Sequence, residues 1–186
     1  MATPLTGSKQ IIYDSDVDFN STNSEAIQTK LAKAALFSQD ISEYPVNFEY
    51  AGYFQNSSIT TGAARFVVTK RSEIKRYILS IGDTGTTSAC SLSVKVYDSS
   101  GAFVNDLFSS SNEPSILTPT AKNNSYIGKD VFGSVNLSGN VSGATIDFGT
   151  INLTILEEGY QLVGEIISNG IGARNANLSL ILQRIE

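Results

Sequence analysis

Carboxylates carry most of the chemistry this chain could do, because among its 186 residues there is no histidine. That absence removes the commonest general base, the commonest zinc ligand and every Ser-His or Cys-His pair. One carboxylate pattern stands out. Asp14, Asp16, Asp18 and Glu25 fall at the first, third, fifth and twelfth positions of an EF-hand-like calcium loop, with Asn20 at the seventh. Phe19, however, stands where the sharp turn needs glycine, and Ser21 where an apolar residue is usual. The pattern is read as an acidic approach to a helix N-terminus, where carboxylates favour the macrodipole, with calcium ligation as the alternative. Glu157 and Glu158 are neighbours that would point to opposite faces of a strand, so they cannot flank one bond and are read as turn residues before Gly159. Nothing in the spacing pairs Asp106, Asp130, Asp147 or Glu165 for hydrolysis of a polysaccharide. Cys90 falls on an apolar face and reads as a small core residue. Gly82-Asp83-Thr84-Gly85 lacks the Gly-Lys-Ser/Thr ending of a phosphate loop. The expectation is a protein with no catalytic residue, no metal and no cofactor.

Aromatic rings are the remaining resource for binding. Tryptophan is absent, and Tyr44, Phe48, Tyr50, Tyr53 and Phe54 cluster on one alternating stretch. Tyr50 and Tyr53 are the candidate ligand surface for a host glycan, against a reading of the same cluster as core or subunit contact.

The elements that would position these residues are strands. Cys90, Leu92, Val94 and Val96 alternate with Ser91, Ser93, Lys95 and Tyr97, a period of two that predicts a half-buried strand. The apolar run Tyr77 to Ile81 precedes it across a turn at 82–87, and Phe103 to Phe108 follows it across Asp98-Ser99-Ser100-Gly101. Further strands are predicted at Val46–Tyr50, Arg65–Thr69, Val131–Leu137, Ile151–Ile155, Gln161–Ile167 and Leu178–Leu182, with residues 109–130 as the longest loop. The basic residues Lys70, Arg71, Lys75 and Arg76 read as a solvated turn and strand edge. About eight strands at this spacing predict an all-β, antiparallel, jelly-roll-like sandwich. Ahead of it the pattern differs. Residues 1 to about 20 form a polar arm with one apolar patch, Ile11-Ile12-Tyr13. Thr22 and Glu25 then have capping-box spacing before an apolar stripe of Ile27, Leu31, Ala34 and Ala35, which predicts one short helix over about 24–38. Pro45 bars the helix from continuing. The chain is therefore divided into an arm and helix (1–44) for attachment or oligomerisation, with Ile11, Ile12, Tyr13, Ile27 and Leu31 as contacts, and a sandwich (45–186).

A net charge of −5 and a pI near 4.7 exclude a broad nucleic-acid surface, which needs clustered Lys and Arg. No stretch approaches the ~20 consecutive apolar residues of a membrane helix. The start of the chain lacks the basic and apolar regions of a signal peptide, and a single cysteine permits no internal disulfide; both suit synthesis in a reducing cytoplasm.

Several of these motifs have a familiar order. Arg76 to Ile81, Gly85-Thr86-Thr87-Ser88, the alternating strand ending in Gly101, Leu107-Phe108-Ser109 and Pro114-Ser115-Ile116 resemble a β-sandwich module of tailed-bacteriophage virion proteins. Head fibres, head decorations and tail or baseplate appendages carry such modules. The step Glu157-Glu158-Gly159-Tyr160-Gln161-Leu162 and the closing strand Leu178–Leu182 are similar to the last hairpin of that family's jelly roll. The resemblance covers about Arg65 to Ile185, and no coiled-coil or collagen-like shaft precedes it. It implies a non-enzymatic virion protein made in the host cytoplasm and anchored by its N-terminal segment to capsid or tail proteins. It also implies a homo-oligomer, with a trimer favoured. The alternative is a carbohydrate-binding receptor-recognition module.

Overall fold

The computed structural model describes residues 43–53, 61–120, 123–133, 135–170 and 172–185, and every regular element among them is a strand. The arm with Ile11, Ile12 and Tyr13, the expected helix with Ile27 and Leu31, and the carboxylates Asp14, Asp16, Asp18 and Glu25 lie outside the described residues.

In chain order the strands are β1 (Glu43–Tyr53), β2 (Thr61–Val67), β3 (Ser72–Asp83), β4 (Cys90–Tyr97), β5 (Phe103–Asp106) and β6 (Ser115–Leu117). They continue with β7 (Asn123–Asp130), β8 (Asn136–Gly139), β9 (Thr145–Asp147), β10 (Ile155–Leu156), β11 (Gln161–Asn169) and β12 (Arg174–Arg184). One sheet has the order β1-β12-β3-β7-β8, with β10 also on β3; the other has the order β2-β11-β4-β6-β9, with β5 also on β4. The antiparallel pairing is nested: β1 with β12, β2 with β11, β3 with β7, β4 with β6. Eight strands folded back on themselves this way and divided between two sheets make a jelly roll. The short strands β5, β8, β9 and β10 are additions to it.

Alternation puts the apolar half of each long strand between the sheets. Val46, Phe48 and Tyr50 of β1 are buried while Pro45, Asn47 and Glu49 are exposed, and Leu178, Leu180 and Leu182 of β12 are fully buried. They face Leu92, Val94 and Val96 of β4 and Leu162 of β11 across one continuous core. On β3 the inward residues Ile74 and Tyr77 are three apart. A register shift against β12, where Ile181 pairs with Arg76 and Leu182 with Ile74, absorbs the extra residue as a bulge. Tyr77 meets Phe108 edge to face at 4.9 Å, and its hydroxyl donates to the Phe148 carbonyl.

The strands at 90–97, 103–106 and 161–169 and the turns at Asp98–Gly101 and Glu157–Gly159 stand where alternation and turn chemistry put them. Three expectations are corrected. Residues 109–130 are not one loop, since they contain β6 and the central strand β7. In β7 only Ile127 supplies a buried aliphatic side chain, and the inward Ser125 donates its hydroxyl to the Asn140 carbonyl at 3.0 Å, so polar composition hid the strand. The strands expected at 131–137 and 151–155 shrink to β8 and β10. Ile151 instead bridges to Phe108, which folds its segment against the core. Lys75 and Arg76 lie on β3, a central strand and not an edge.

The two sheets come close at Gly164 of β11. A Cβ built there would stand 2.6 Å from the Tyr50 hydroxyl oxygen and 2.8 Å from Phe48 Cδ1. Gly164→Ala should therefore lower stability by about 1–3 kcal/mol, the usual cost of overpacking. Chemical denaturation would show a lower midpoint with an unchanged slope, and an unchanged midpoint would show that β1 yields freely.

Candidate functional site

The sheet register spreads the carboxylates apart. Ser93 stands opposite Glu165 and Lys95 opposite Val163, so Lys95 Nζ reaches diagonally to Glu165 Oε1 at 3.0 Å. Asp106 of β5 is opposite Lys95 on its other side. The bond from Glu165 raises the Lys95 pKa, with the Glu165 and Asp106 charges adding to it and burial opposing it. A lysine thus separates Asp106 from Glu165. Asp130 ends β7, and Asp147 ends β9, where its Oδ1 accepts from the Gly149 amide at 2.7 Å. Among the described residues no group of three or more His, Cys, Asp or Glu side chains is placed to hold a metal ion.

Cys90 is fully buried, and burial pushes its thiol up to about 12, which leaves a core residue with no thiolate to offer. Its partners on the expected face, Leu92, Val94 and Val96, are buried as well. Ser91 and Ser93 on the opposite face are also buried, so β4 is not half-solvated. Short serines beside Glu165 and Ser168 of β11 keep little contact with water.

Of the two candidate ligand rings, Tyr50 points into the core, its hydroxyl enclosed without a hydrogen-bond partner above Gly164. It is not a surface platform, because alternation along β1 turns it inward beside Phe48. Tyr53 ends β1 opposite Arg174, beyond a register shift.

What the topology does gather lies at the ends of the sandwich. β1, β3, β5 and β11 begin, and β2, β4, β7 and β12 finish, at one end, here called proximal. The pairs Glu43↔Gln183, Arg76↔Asp130, Gln161↔Val67 and Tyr97↔Phe103 fix this, and residues 68–71 join β2 to β3 there. Four ion pairs cluster at this end: Arg71–Glu157 at 3.1 Å, Lys70–Glu158 at 3.8 Å, Lys75–Glu73 at 3.0 Å and Arg76–Glu43 at 3.5 Å. The four basic residues of the sequence motif are thus all paired. Large apolar side chains are exposed at the same end: Val67, Phe103, Val104, Phe132, Val135 and Ile185, each 37–57% accessible. Lys75 Nζ sits 4.9 Å above the Phe132 ring, and Tyr97 meets Phe103 edge to face at 5.8 Å. These apolar residues were invisible as a group in the sequence, since they come from four separate segments.

Among the described residues, the opposite, distal end carries small, largely polar turns at 84–89, 118–120, 140–144 and 172–173, with a buried Thr84–Thr118 hydroxyl pair at 2.6 Å.

No family model matches this chain, and no curated protein does. Among solved structures, a chain in "Structure of infectious bursal disease virus Gx strain" is similar over 77% of this chain and 42% of that one, at 9% identity and a TM-score of 0.24. This chain spans less than half of that neighbour's length, and a likeness at this level transfers no role. Among the described residues no helix is long and apolar enough to cross a membrane.

Burial raises Tyr50 and Tyr77 from 10.0 to about 12, with the Glu165 and Asp147 charges adding respectively, and Cys90 from 9.0 to about 12. The folded state keeps these protons at a pH where the unfolded chain has lost them. The stability these three groups contribute is present below pH 9 and is lost as pH rises from there toward 12, by about 1.4 kcal/mol per unit for each group past its ordinary value. Alkaline titration followed by tyrosinate absorbance should show two tyrosines ionising only as the fold is lost. Smooth ionisation of all eight tyrosines in the folded protein would contradict the burial.

Proposed function

We propose that this protein is a non-enzymatic structural component of a virus particle of the tailed-phage kind, a head fibre, capsid decoration or tail appendage. Its N-terminal segment anchors it and its jelly roll is displayed. The observation that carries this reading is the polarity of the fold: β1, the first described strand, begins at Glu43 on the proximal end, and the polar turns described stand at the distal end. A module held at one end and presented at the other suits an appendage. Jelly rolls serve viral capsids and also sugar-binding lectins, so the fold alone does not choose between them. The sequence resemblance to phage virion modules supports the first, as does the separation of the carboxylates on the sheets. The glycan-recognition reading loses the buried Tyr50 and keeps Tyr53 with the distal turns.

Removal of residues 1–40 tests the anchoring. Light scattering should find the full chain as a stable homo-oligomer, a trimer being favoured, and residues 41–186 as a monomer that still unfolds cooperatively. Monomers in both cases, or a truncated chain without a cooperative transition, would contradict the proposal. In the first case glycan arrays become the next measurement.

A further inference from the structure

We infer that the proximal end of the sandwich is the surface through which copies of this chain meet, an inference that rests on the assembly reading above. Six of the seven large apolar side chains exposed among the described residues are at this end; the seventh, Tyr126, stands opposite Ser80 on a sheet face. The six come from β2, β5, the β7–β8 turn and the residue after β12, so the fold and not a local run collects them. Scattered single apolar residues are normal on a protein surface, whereas a group rimmed by charge marks an interface.

The rim also suggests what covers it. Lys70, Arg71, Lys75 and Arg76 alternate in space with Glu157, Glu158, Glu73 and Glu43, so the end presents both signs side by side. Such a surface is complementary to a rotated copy of itself, where a basic residue of one copy can face an acidic residue of the next. A uniformly basic or acidic partner would find half of these charges repulsive. The place where the chain enters points the same way. Residues 1–42, with the apolar patch Ile11-Ile12-Tyr13 and the stripe Ile27 and Leu31, are covalently joined at Glu43, on this end. Association of those segments would tether the copies through this end, on which Phe103, Phe132 and Val135 are exposed. Among the described residues the distal end exposes no large apolar side chain.

Full-length protein decides this by light scattering. The wild type is expected at a multiple of 19.9 kDa. Phe132→Asp combined with Val135→Asp, and separately Phe103→Asp, should bring the mass to that of one chain, or raise the dissociation constant at least tenfold. The distal control, Thr86→Asp with Thr87→Asp, should keep the wild-type mass. Thermal unfolding checks that each variant is folded. Should the hairpin variant fail to fold, the mass of Phe103→Asp settles the question by itself. Folded proximal variants that keep the oligomeric mass would overturn this surface and leave the assembly reading standing. A monomeric wild type would remove both.

Discussion

The dry contact between the two sheets is the constraint from which the rest of this structure follows. Leu178, Leu180 and Leu182 of β12 and Leu79 and Ile81 of β3 meet Leu92, Val94, Val96 and Leu162 with no access to water. Each such side chain contributes about 1.5–3 kcal/mol by leaving water, and only one register of each strand turns all of them inward. Slipping β12 by one residue would carry its leucines to solvent and put Ser179 and Gln183 inside. The bulge on β3 and the bare Cα of Gly164 are accommodations to the same contact. One restores alternation after an extra residue, and the other lets the Phe48 and Tyr50 rings lie against β11.

Nested pairing leaves each sheet with edges, and those of the β1-β12-β3-β7-β8 sheet are guarded. β1 is long and pairs on one side only among the described strands, but it carries Pro45 and exposes Glu43 and Glu49, features that discourage a further strand from adding. At the other edge of the same sheet β8 is short. Association through strand addition is thus opposed by the edges, while the proximal end offers side chains instead. That the polar turns described stand at one end and the exposed apolar side chains at the other is a consequence of where antiparallel strands begin and finish.

The antiparallel strand framework was legible where periodicity was strong. Cys90–Tyr97 showed its pleat in its residues, and Asp98–Gly101 showed its turn, with Asp98 Oδ1 accepting from the Ser100 and Ala102 amides and Gly101 at φ 87. β7 was not legible. Asn123-Asn124-Ser125 reads as a turn, and only pairing to β3 on one side and β8 on the other makes it a strand. The dryness of the second face of β4 was hidden as well, because the burial of Ser91 and Ser93 depends on β11 beside them. Tyr50 as a surface ring failed for a related reason: alternation says which residues share a face, but not which face is dry.

By itself the sequence determined the all-β class, the turn positions, the core role of Cys90 and the lack of any histidine-based chemistry, since these follow from residue type and local period. The tertiary structure decided which strands pair, that a lysine stands between Asp106 and Glu165, and that six apolar side chains from distant segments share one end. Those outcomes depend on register between strands far apart in the chain, and local propensity carries no information about it. Long-range pairing is chosen by the burial it achieves, which exists only once both sheets are in place.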